Sequence, residues 1–215
     1  MTEQFKIVSK PKIVLIGGGG HCKSCIDVIE EEGKFEIAGI VDIPEKKGDT
    51  ILGYRVIAND NDIPSLVNDY SCFLITIGQL KSPARRIEIF EILLKLKVSL
   101  PVIISPFAHV SRHASLGKGT IVMHGAIINA QASVGKNGIV NSNALIEHDA
   151  EIGEHCHIST GAIVNGGVII NQATLIGSGA VIKQGISIGE HCIVGMGRSI
   201  KTEVLDNQVV KKVNE

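Results

Sequence analysis

The chain has 215 residues, of which 44% are hydrophobic, and its formal net charge is −1 at pH 7. That length suits one or two domains, and a net charge near zero offers no basic surface for nucleic acid or for anionic lipid. Apolar stretches are too short to span a membrane, and residues 1–12 lack the apolar core of a signal peptide, so we expect a cytoplasmic protein without nucleic-acid or membrane partners.

The first predicted element is a short apolar strand, Lys12–Ile16, that runs into the sequence GGGGH at residues 17–21, the glycine turn. Apolar residues at helical spacing predict a helix over residues 24–32. Backbone N–H groups of a glycine turn at the positive end of a helix suit a phosphate or a diphosphate. The dinucleotide fingerprint G-x-G-x-x-G is incomplete because Cys22 stands at the third glycine, which favours a single nucleoside diphosphate. A turn rich in glycine for tight packing alone is the alternative.

Further strands and a helix follow the glycine turn. A strand over residues 35–42 ends in Asp42, a strand over residues 72–77 closes at Gly78, and a helix capped by Ser82 comes next. Strands that alternate with helices predict an α/β fold, a small parallel sheet with Rossmann-like winding. Asp42, at the end of its strand, is then placed for contact with a hydroxyl group or the base of a nucleotide.

A domain boundary is expected near residue 105, where Pro101 and Pro106 punctuate the chain. Residues 102–105 are expected to add a last strand before the boundary. We therefore predict an α/β domain over residues 1–105 and a second domain over residues 106–215.

The second domain has a period of six, because every sixth residue from Val110 to Ile200 is aliphatic. The residue two places earlier is mostly small, and the residue just after is often Gly or Asn, which suit tight corners. This pattern predicts an all-β, left-handed parallel β-helix, in which three short strands make one coil of a triangular prism and about five coils stack. The prism is expected to end near Glu203, since Asp206 would place a charge at an inward position.

A candidate for catalysis lies within these hexads, in the sequence NSNALIEHD at residues 141–149. Because Ile146 must point inward, His148 is expected near a corner with its ring accessible and with Asp149 beside it. A histidine oriented by an acid has a raised pKa and a fixed tautomer, as a general base for an amine or hydroxyl nucleophile requires. A solvated surface histidine is the alternative.

The motifs occur in an order that resembles a known family. The first strand with its glycine turn, Asp42, the sequence TIG at residues 76–78 and the hexads around residues 147–149 are together similar to the bacterial sugar acetyltransferases of the NeuD/PglD type. The resemblance covers about two hundred residues. It implies an N-terminal domain that binds the nucleotide of a sugar, and a homotrimer of β-helices with acetyl-CoA in the grooves between neighbouring prisms.

The resemblance also implies roles for individual residues. His148 matches the catalytic base, Asp149 matches the acid that raises its basicity, and Gly166 matches the N–H donor to the thioester oxygen. Asn141 matches a position near the acceptor. The family's contacts with coenzyme A fall on His157, Gly166, Ser178 and Gln184. Its contacts with the nucleotide sugar fall on Gly19, Gly20, His21, Asp42 and Gly78.

The implied activity is acyl transfer without a metal. The acetyl group of acetyl-CoA would pass directly to the 4-amino group of a UDP-, GDP- or dTDP-linked amino-deoxy sugar, with His148 as general base. Two departures from the family pattern are present: Ile43 follows Asp42 in place of a second acid, and residues 206–215 contain no loop of the G-x-P-A type. They leave one contact with the nucleotide sugar open and imply that the outer half of the cofactor is held differently.

Three alternatives stay open. The family includes O-acetyltransferases with the same base, so the acceptor can be a hydroxyl group of sialic acid or of a related nonulosonate. The β-helix also hosts zinc enzymes of the γ-carbonic anhydrase type, but Gly153 stands where a third histidine would have to join His113 and His148. A scaffold without catalysis would explain neither the glycine turn nor the pairing of His148 with Asp149.

The five cysteines do not indicate redox chemistry. Cys22 and Cys25 match the pattern C-x-x-C but lack thioredoxin-like surroundings. Cys156 and Cys192 fall at small-residue positions of the hexads, so we expect them in the core. Cys156 is therefore not expected to act as a nucleophile that carries the acyl group.

Overall fold

The structure, a computed structural model, describes residues 9–211. No helix in this part of the chain is long and apolar enough to cross a membrane. Five strands form the N-terminal sheet: β1 (Lys12–Ile16), β2 (Glu36–Asp42), β3 (Thr50–Ile51), β4 (Tyr54–Asn59) and β5 (Cys72–Ile75). Their order is β3-β4-β2-β1-β5, with β3 antiparallel to β4 and the other pairs parallel. The helices are α1 (Gly20–Glu32), α2 (Ile63–Leu66) and α3 (Ala84–Lys95), with 3-10 turns at Pro44–Lys46 and Asp60–Asp62.

The predicted α/β class is confirmed. Helices α1 and α3 cover opposite faces of the sheet, which explains why the central strands read as continuous apolar runs. Helix α1 begins at Gly20 and not near residue 24, because its first turn contains no aliphatic residue, and its only buried side chain there is Cys22. The hairpin of β3 and β4 and helix α2 were not predicted, since these elements are short and only half buried.

A parallel β-helix with three faces follows, as predicted. Face A contains Ile103–Ile104, Ile121–Val122, Ile139–Val140, His157–Ile158, Leu175–Ile176, Ile193–Val194 and Val209–Val210. Face B contains His109–Val110, Ile127–Ile128, Leu145–Ile146, Ile163–Val164, Val181–Ile182 and Ser199–Ile200. Face C contains Ser115–Leu116, Ser133–Val134, Glu151–Ile152, Ile169–Ile170 and Ser187–Ile188.

The second residue of each strand points into the prism. Val140, Ile158 and Ile176 are fully buried in this way and stack at the eighteen-residue spacing of one coil. The corners differ from the sequence-based explanation. Gly135, just after an inward residue, allows close stacking, because a Cβ atom there would lie 2.6 Å from the amide nitrogen of Glu154. From residue 119 to residue 197, every corner has a positive φ angle two residues later, a conformation that Gly, Asn and Asp tolerate best.

The expectation that the prism ends near Glu203 is wrong. The strand Val209–Val210 pairs with Ile193–Val194, and Val204 bridges to Ile188. Both pairings skip sixteen residues and not eighteen, so the last coil is two residues shorter. The positions that point inward are therefore Val204 and Val210 instead of Asp206. A fixed period of six residues cannot detect this change.

The α/β sheet docks on face A. Helix α1 shares a buried cluster with Ile103, Ile121 and Ile139, while Phe90 of α3 packs edge-on against His155, with ring centroids 5.3 Å apart. The strand Ile103–Ile104 pairs with Ile121–Val122 and so belongs to the β-helix, not to the α/β sheet. We therefore propose that the boundary between the two domains lies just before residue 103, slightly earlier than the sequence indicates.

Candidate active site

A cleft of about 830 Å³ lies between the carboxyl ends of the sheet strands and the edge of the β-helix where face A meets face B. The glycine turn, Asp42 and Gly78 line one side, and Asn141 with His157 lines the other. All the residues matched to the nucleotide sugar therefore surround one cavity. Such a crevice at the carboxyl ends of parallel strands is the usual ligand position in open α/β sheets.

The four glycines of the turn divide into two pairs. Gly17 has a φ of +104° and contacts Ile77 where a Cβ would be, and a Cβ at Gly18 would lie 2.6 Å from Oδ2 of Asp42. Gly19 and Gly20 face open space, with no atom within 4 Å of an added Cβ. Packing and a positive φ require glycine at residue 17, and at residue 18 a Cβ would displace the side chains of Asp42 and Ile51. The second pair leaves the start of α1 accessible to a ligand.

The start of α1 carries no negative charge of its own. Gly19 is the N-cap, no side chain caps the helix, and its first turn has no acidic residue. The N–H groups at a helix start have no partner within the helix, and they attract anions. The start of α1 therefore presents backbone donors without a competing carboxylate, and phosphate binding at this turn stays a prediction.

Two ion pairs that sequence reasoning missed line the same cleft. Lys46 donates to Oδ2 of Asp42 at 2.9 Å, and Arg85 pairs closely with Asp60. Asp42 is also the acceptor for the amide of Ile43 at 2.9 Å. Asp60 directly follows β4, which was not predicted, so no sequence signal pointed to it.

A chain of hydrogen bonds joins the two walls of the cleft. His157 donates from Nδ1 to the carbonyl of Gln79 at 3.0 Å and accepts at Nε2 from the amide of Asn141 at 3.2 Å. The ring of His21 lies 6.3 Å from that of His157, centroid to centroid. Burial lowers the pKa of His21 to about 3 and that of His157 to about 4, so both rings are neutral at physiological pH. The structure thus places His157, matched to coenzyme A, among the residues matched to the sugar.

His148 and Asp149 lie elsewhere, in the corner of residues 147–150 that we call the base corner. Nδ1 of His148 is 2.7 Å from Oδ2 of Asp149, and about half of each side chain is exposed. This hydrogen bond raises the pKa of His148. The ring lies over Gly166, where a Cβ atom would come within 2.8 Å of both Cε1 and Nε2, as the spacing of one coil predicts.

Face B separates the base corner from the cleft. Its strand Leu145–Ile146 is preceded by the corner with Asn141 and followed by the base corner, so the two sites flank opposite edges of one face. Ser178 bonds to Ser159 at 2.9 Å on the cleft edge, and Gln184 is exposed on the other edge, one coil beyond Gly166. Within one chain, the residues matched to coenzyme A are therefore split between the two edges.

Comparisons with known proteins agree with this architecture. The profile of the PglD N-terminal domain family matches residues 12–93. PerB from Caulobacter crescentus, solved in complex with CoA and GDP-perosamine, is 31% identical, with 94% of this chain and 93% of that chain covered and a TM-score of 0.85. The chain belongs to the PglD/NeuD-type sugar acetyltransferase family. It is accordingly an acyltransferase.

Two further solved structures match over nearly their whole length. The acetyltransferase domain of PglB from Neisseria gonorrhoeae, in complex with acetyl coenzyme A, is 28% identical, with 94% of this chain and 96% of that chain covered and a TM-score of 0.84. WeeI from Acinetobacter baumannii is 24% identical, with coverages of 93% and 96% and a TM-score of 0.82, and this likeness shows the fold alone. No curated protein sequence matches the chain.

The cysteines in this acyltransferase are buried and unpaired, including Cys22 and Cys25 of the C-x-x-C sequence. Cys156 points into the prism as predicted, and burial raises the pKa of its thiol to about 12. Such a thiol stays protonated at neutral pH and is a poor nucleophile. Within residues 9–211, no three His, Cys, Asp or Glu side chains cluster as metal ligands.

Proposed function

We propose that the protein transfers the acetyl group of acetyl-CoA to the 4-amino group of a nucleotide-linked amino-deoxy sugar, with His148 as general base. The observation that carries this proposal is the hydrogen-bonded pair of His148 and Asp149 over Gly166, on a prism that also forms one wall of the cleft with the glycine turn. Family membership and the CoA and GDP-perosamine in the PerB complex support it.

The hydrogen bond to Asp149 assigns the tautomer of His148. A carboxylate can only accept, so Nδ1 carries the proton and Nε2 keeps its lone pair. Nε2 faces Gly166, whose N–H group donates no hydrogen bond to any residue of the described chain. Stacked corners of neighbouring coils therefore carry a proton acceptor and an N–H donor without a partner, the two groups that aminolysis of a thioester needs.

The chemistry follows from this pair. The amine nitrogen of the sugar attacks the thioester carbon while Nε2 of His148 takes a proton from the nitrogen. The N–H of Gly166 stabilises the negative charge that develops on the thioester oxygen. The carbon–sulfur bond then breaks, the thiolate of coenzyme A leaves, and the protonated imidazole returns a proton to it. No acyl-enzyme is formed, in keeping with the buried thiol of Cys156.

A homotrimer would bring the base corner of one protomer to the cleft of the next. Face B supports such an assembly, because its outward positions hold an aliphatic column of Ile127, Leu145, Ile163 and Val181 in register. The corresponding positions on face C are mostly polar. Aliphatic side chains on an outer face are stabilised when a second copy covers them.

The substitution His148→Ala tests the assignment of the base. We expect kcat to fall about 10²- to 10⁴-fold, in line with loss of a positioned general base. Light scattering should show the same oligomer as in the wild type, because the proposed contact rests on the aliphatic column of face B and not on this ring. Turnover close to the wild type would remove His148 from the reaction.

Calorimetric titration with UDP, GDP and dTDP tests the acceptor. Tight binding of one of them supports a nucleotide-linked sugar, since the glycine turn and the start of α1 are suited to the diphosphate. Absence of binding for all three would favour the O-acetylation of a free sialic acid or a related nonulosonate.

A further inference from the structure

Arg86, the third residue of α3, is buried at the junction of the two domains with only 1% of its surface exposed. Its Nη2 bonds to the backbone carbonyl of Asn137 and lies 3.1 Å from the Asn137 side-chain oxygen, while Nη1 is 3.4 Å from the carbonyl of Ile77. Nε has no hydrogen-bond partner. Guanidinium groups in protein interiors are normally paired with a carboxylate, so this environment is unusual.

No carboxylate within residues 9–211 forms a salt bridge with Arg86. The ionisable groups with the largest influence on it are the thiols of Cys25 and Cys156, and burial keeps both thiols protonated. Burial also lowers the pKa of Arg86 to about 10, which leaves the guanidinium charged at neutral pH. A full positive charge therefore lies uncompensated inside the protein.

That charge lies directly behind the glycine turn. Ile77, whose carbonyl faces Arg86, contacts Gly17 and lines the cleft. The four charged side chains that line the cleft form two ion pairs, Asp42 with Lys46 and Asp60 with Arg85, whose charges largely cancel. Arg86 and the start of α1 are therefore the two sources of positive charge beside the turn that no carboxylate pairs with.

An uncompensated buried charge destabilises a protein that has no ligand. The hydrogen bonds to Asn137 and Ile77 do not require a charge, since a neutral amide can make them. A charge in this position can attract an anion that binds in the cleft, on the other side of Ile77. The low dielectric of the interior then transmits the attraction with little screening.

We propose that Arg86 is an electrostatic positioning residue for the diphosphate of the nucleotide sugar, which it attracts to the glycine turn through the wall of Ile77 without touching it. This inference rests on the proposed nucleotide-linked substrate and adds a residue to its recognition. It accounts for the missing carboxylate partner, because an acid beside Arg86 would cancel the attraction.

Three variants separate the charge from the structural contacts. Arg86→Gln keeps hydrogen-bonding capacity without charge, Arg86→Lys keeps the charge, and Arg86→Met removes both. UDP, GDP and dTDP are titrated by calorimetry into the full-length wild type, and the diphosphate that binds is then titrated into each variant. We expect Kd to rise about tenfold in the Gln and Met variants and to stay within about threefold of the wild type in the Lys variant.

The outcomes are distinct. Wild-type affinity in Arg86→Gln, or equal losses in the Gln and Lys variants, would overturn the proposal in favour of a structural role. Thermal unfolding checks the fold, and unfolded Gln and Met variants would assign Arg86 to the scaffold and overturn it as well. If no diphosphate binds even to the wild type, the nucleotide-linked substrate itself is refuted.

Discussion

The substitution Gly166→Ala gives the sharpest test of the base corner. A Cβ atom at this position would lie 2.8 Å from Cε1 and Nε2 of His148, whereas ordinary contacts between such atoms are about 3.5–4.0 Å. The ring must therefore move by roughly 0.7–1.2 Å. It can move because more than half of the His148 side chain is exposed, and the movement disturbs its 2.7 Å hydrogen bond to Asp149.

The expected magnitude follows from this displacement. Misplacement of a catalytic group by about 1 Å costs on the order of 100-fold in rate. The N–H of residue 166 is kept in alanine, so the loss comes from the position of the base and not from the oxyanion donor. The backbone φ of Gly166 is not in the left-handed region, and the equivalent corner positions hold Ala130 and Gln184. We therefore expect the free energy of unfolding to change by no more than about 0.5 kcal/mol.

The assay is chromatographic measurement of the acetylated sugar, with kcat compared in four proteins: the wild type, Gly166→Ala, His148→Ala and the double variant. If Gly166→Ala acts through the ring, it lowers kcat in the wild type and has no further effect when His148 is absent. An equal loss in both backgrounds would refute the reasoning. Wild-type turnover in Gly166→Ala would show that the position of the ring over Gly166 is not used in catalysis.

Two other predictions concern the acid and the assembly. Asp149 raises the pKa of His148, and a base works only when it is unprotonated, so activity is lost as the pH falls through that raised pKa. The substitution Asp149→Asn should therefore shift the acidic limb of the kcat/KM profile to lower pH. An unchanged limb would contradict the pairing. Ile127 and Ile169 are equally exposed, at 40% and 41%, but lie on face B and face C. Ile127→Asp should dissociate the oligomer, as measured by light scattering, and should lower kcat, whereas Ile169→Asp should do neither. Dissociation by both variants, or by Ile169→Asp alone, would show that face B is not the interface.

The parts of the fold predicted correctly are those with a local or periodic signal. The inward residues of the prism recur every six positions, and residues eighteen apart stack, so the contact of His148 with Gly166 was predictable from counting alone. The same counting failed at Glu203, where a coil is two residues shorter. The hydrogen bond between Asp149 and His148 was also predictable, because the two residues are neighbours in the sequence.

By itself, the amino-acid sequence determined the α/β and β-helical classes, the glycine turn and the base corner, because each depends on residues close in the chain or at a constant period. Only the tertiary structure decided that His157 faces the cleft, that Asp60 pairs with Arg85, and that Arg86 is buried beside Asn137 without an acid. These contacts depend on the docking of the α/β sheet on face A. Docking depends on how the folded surfaces of the two domains fit together. The residues that form these surfaces are far apart in the chain and follow no repeating sequence pattern.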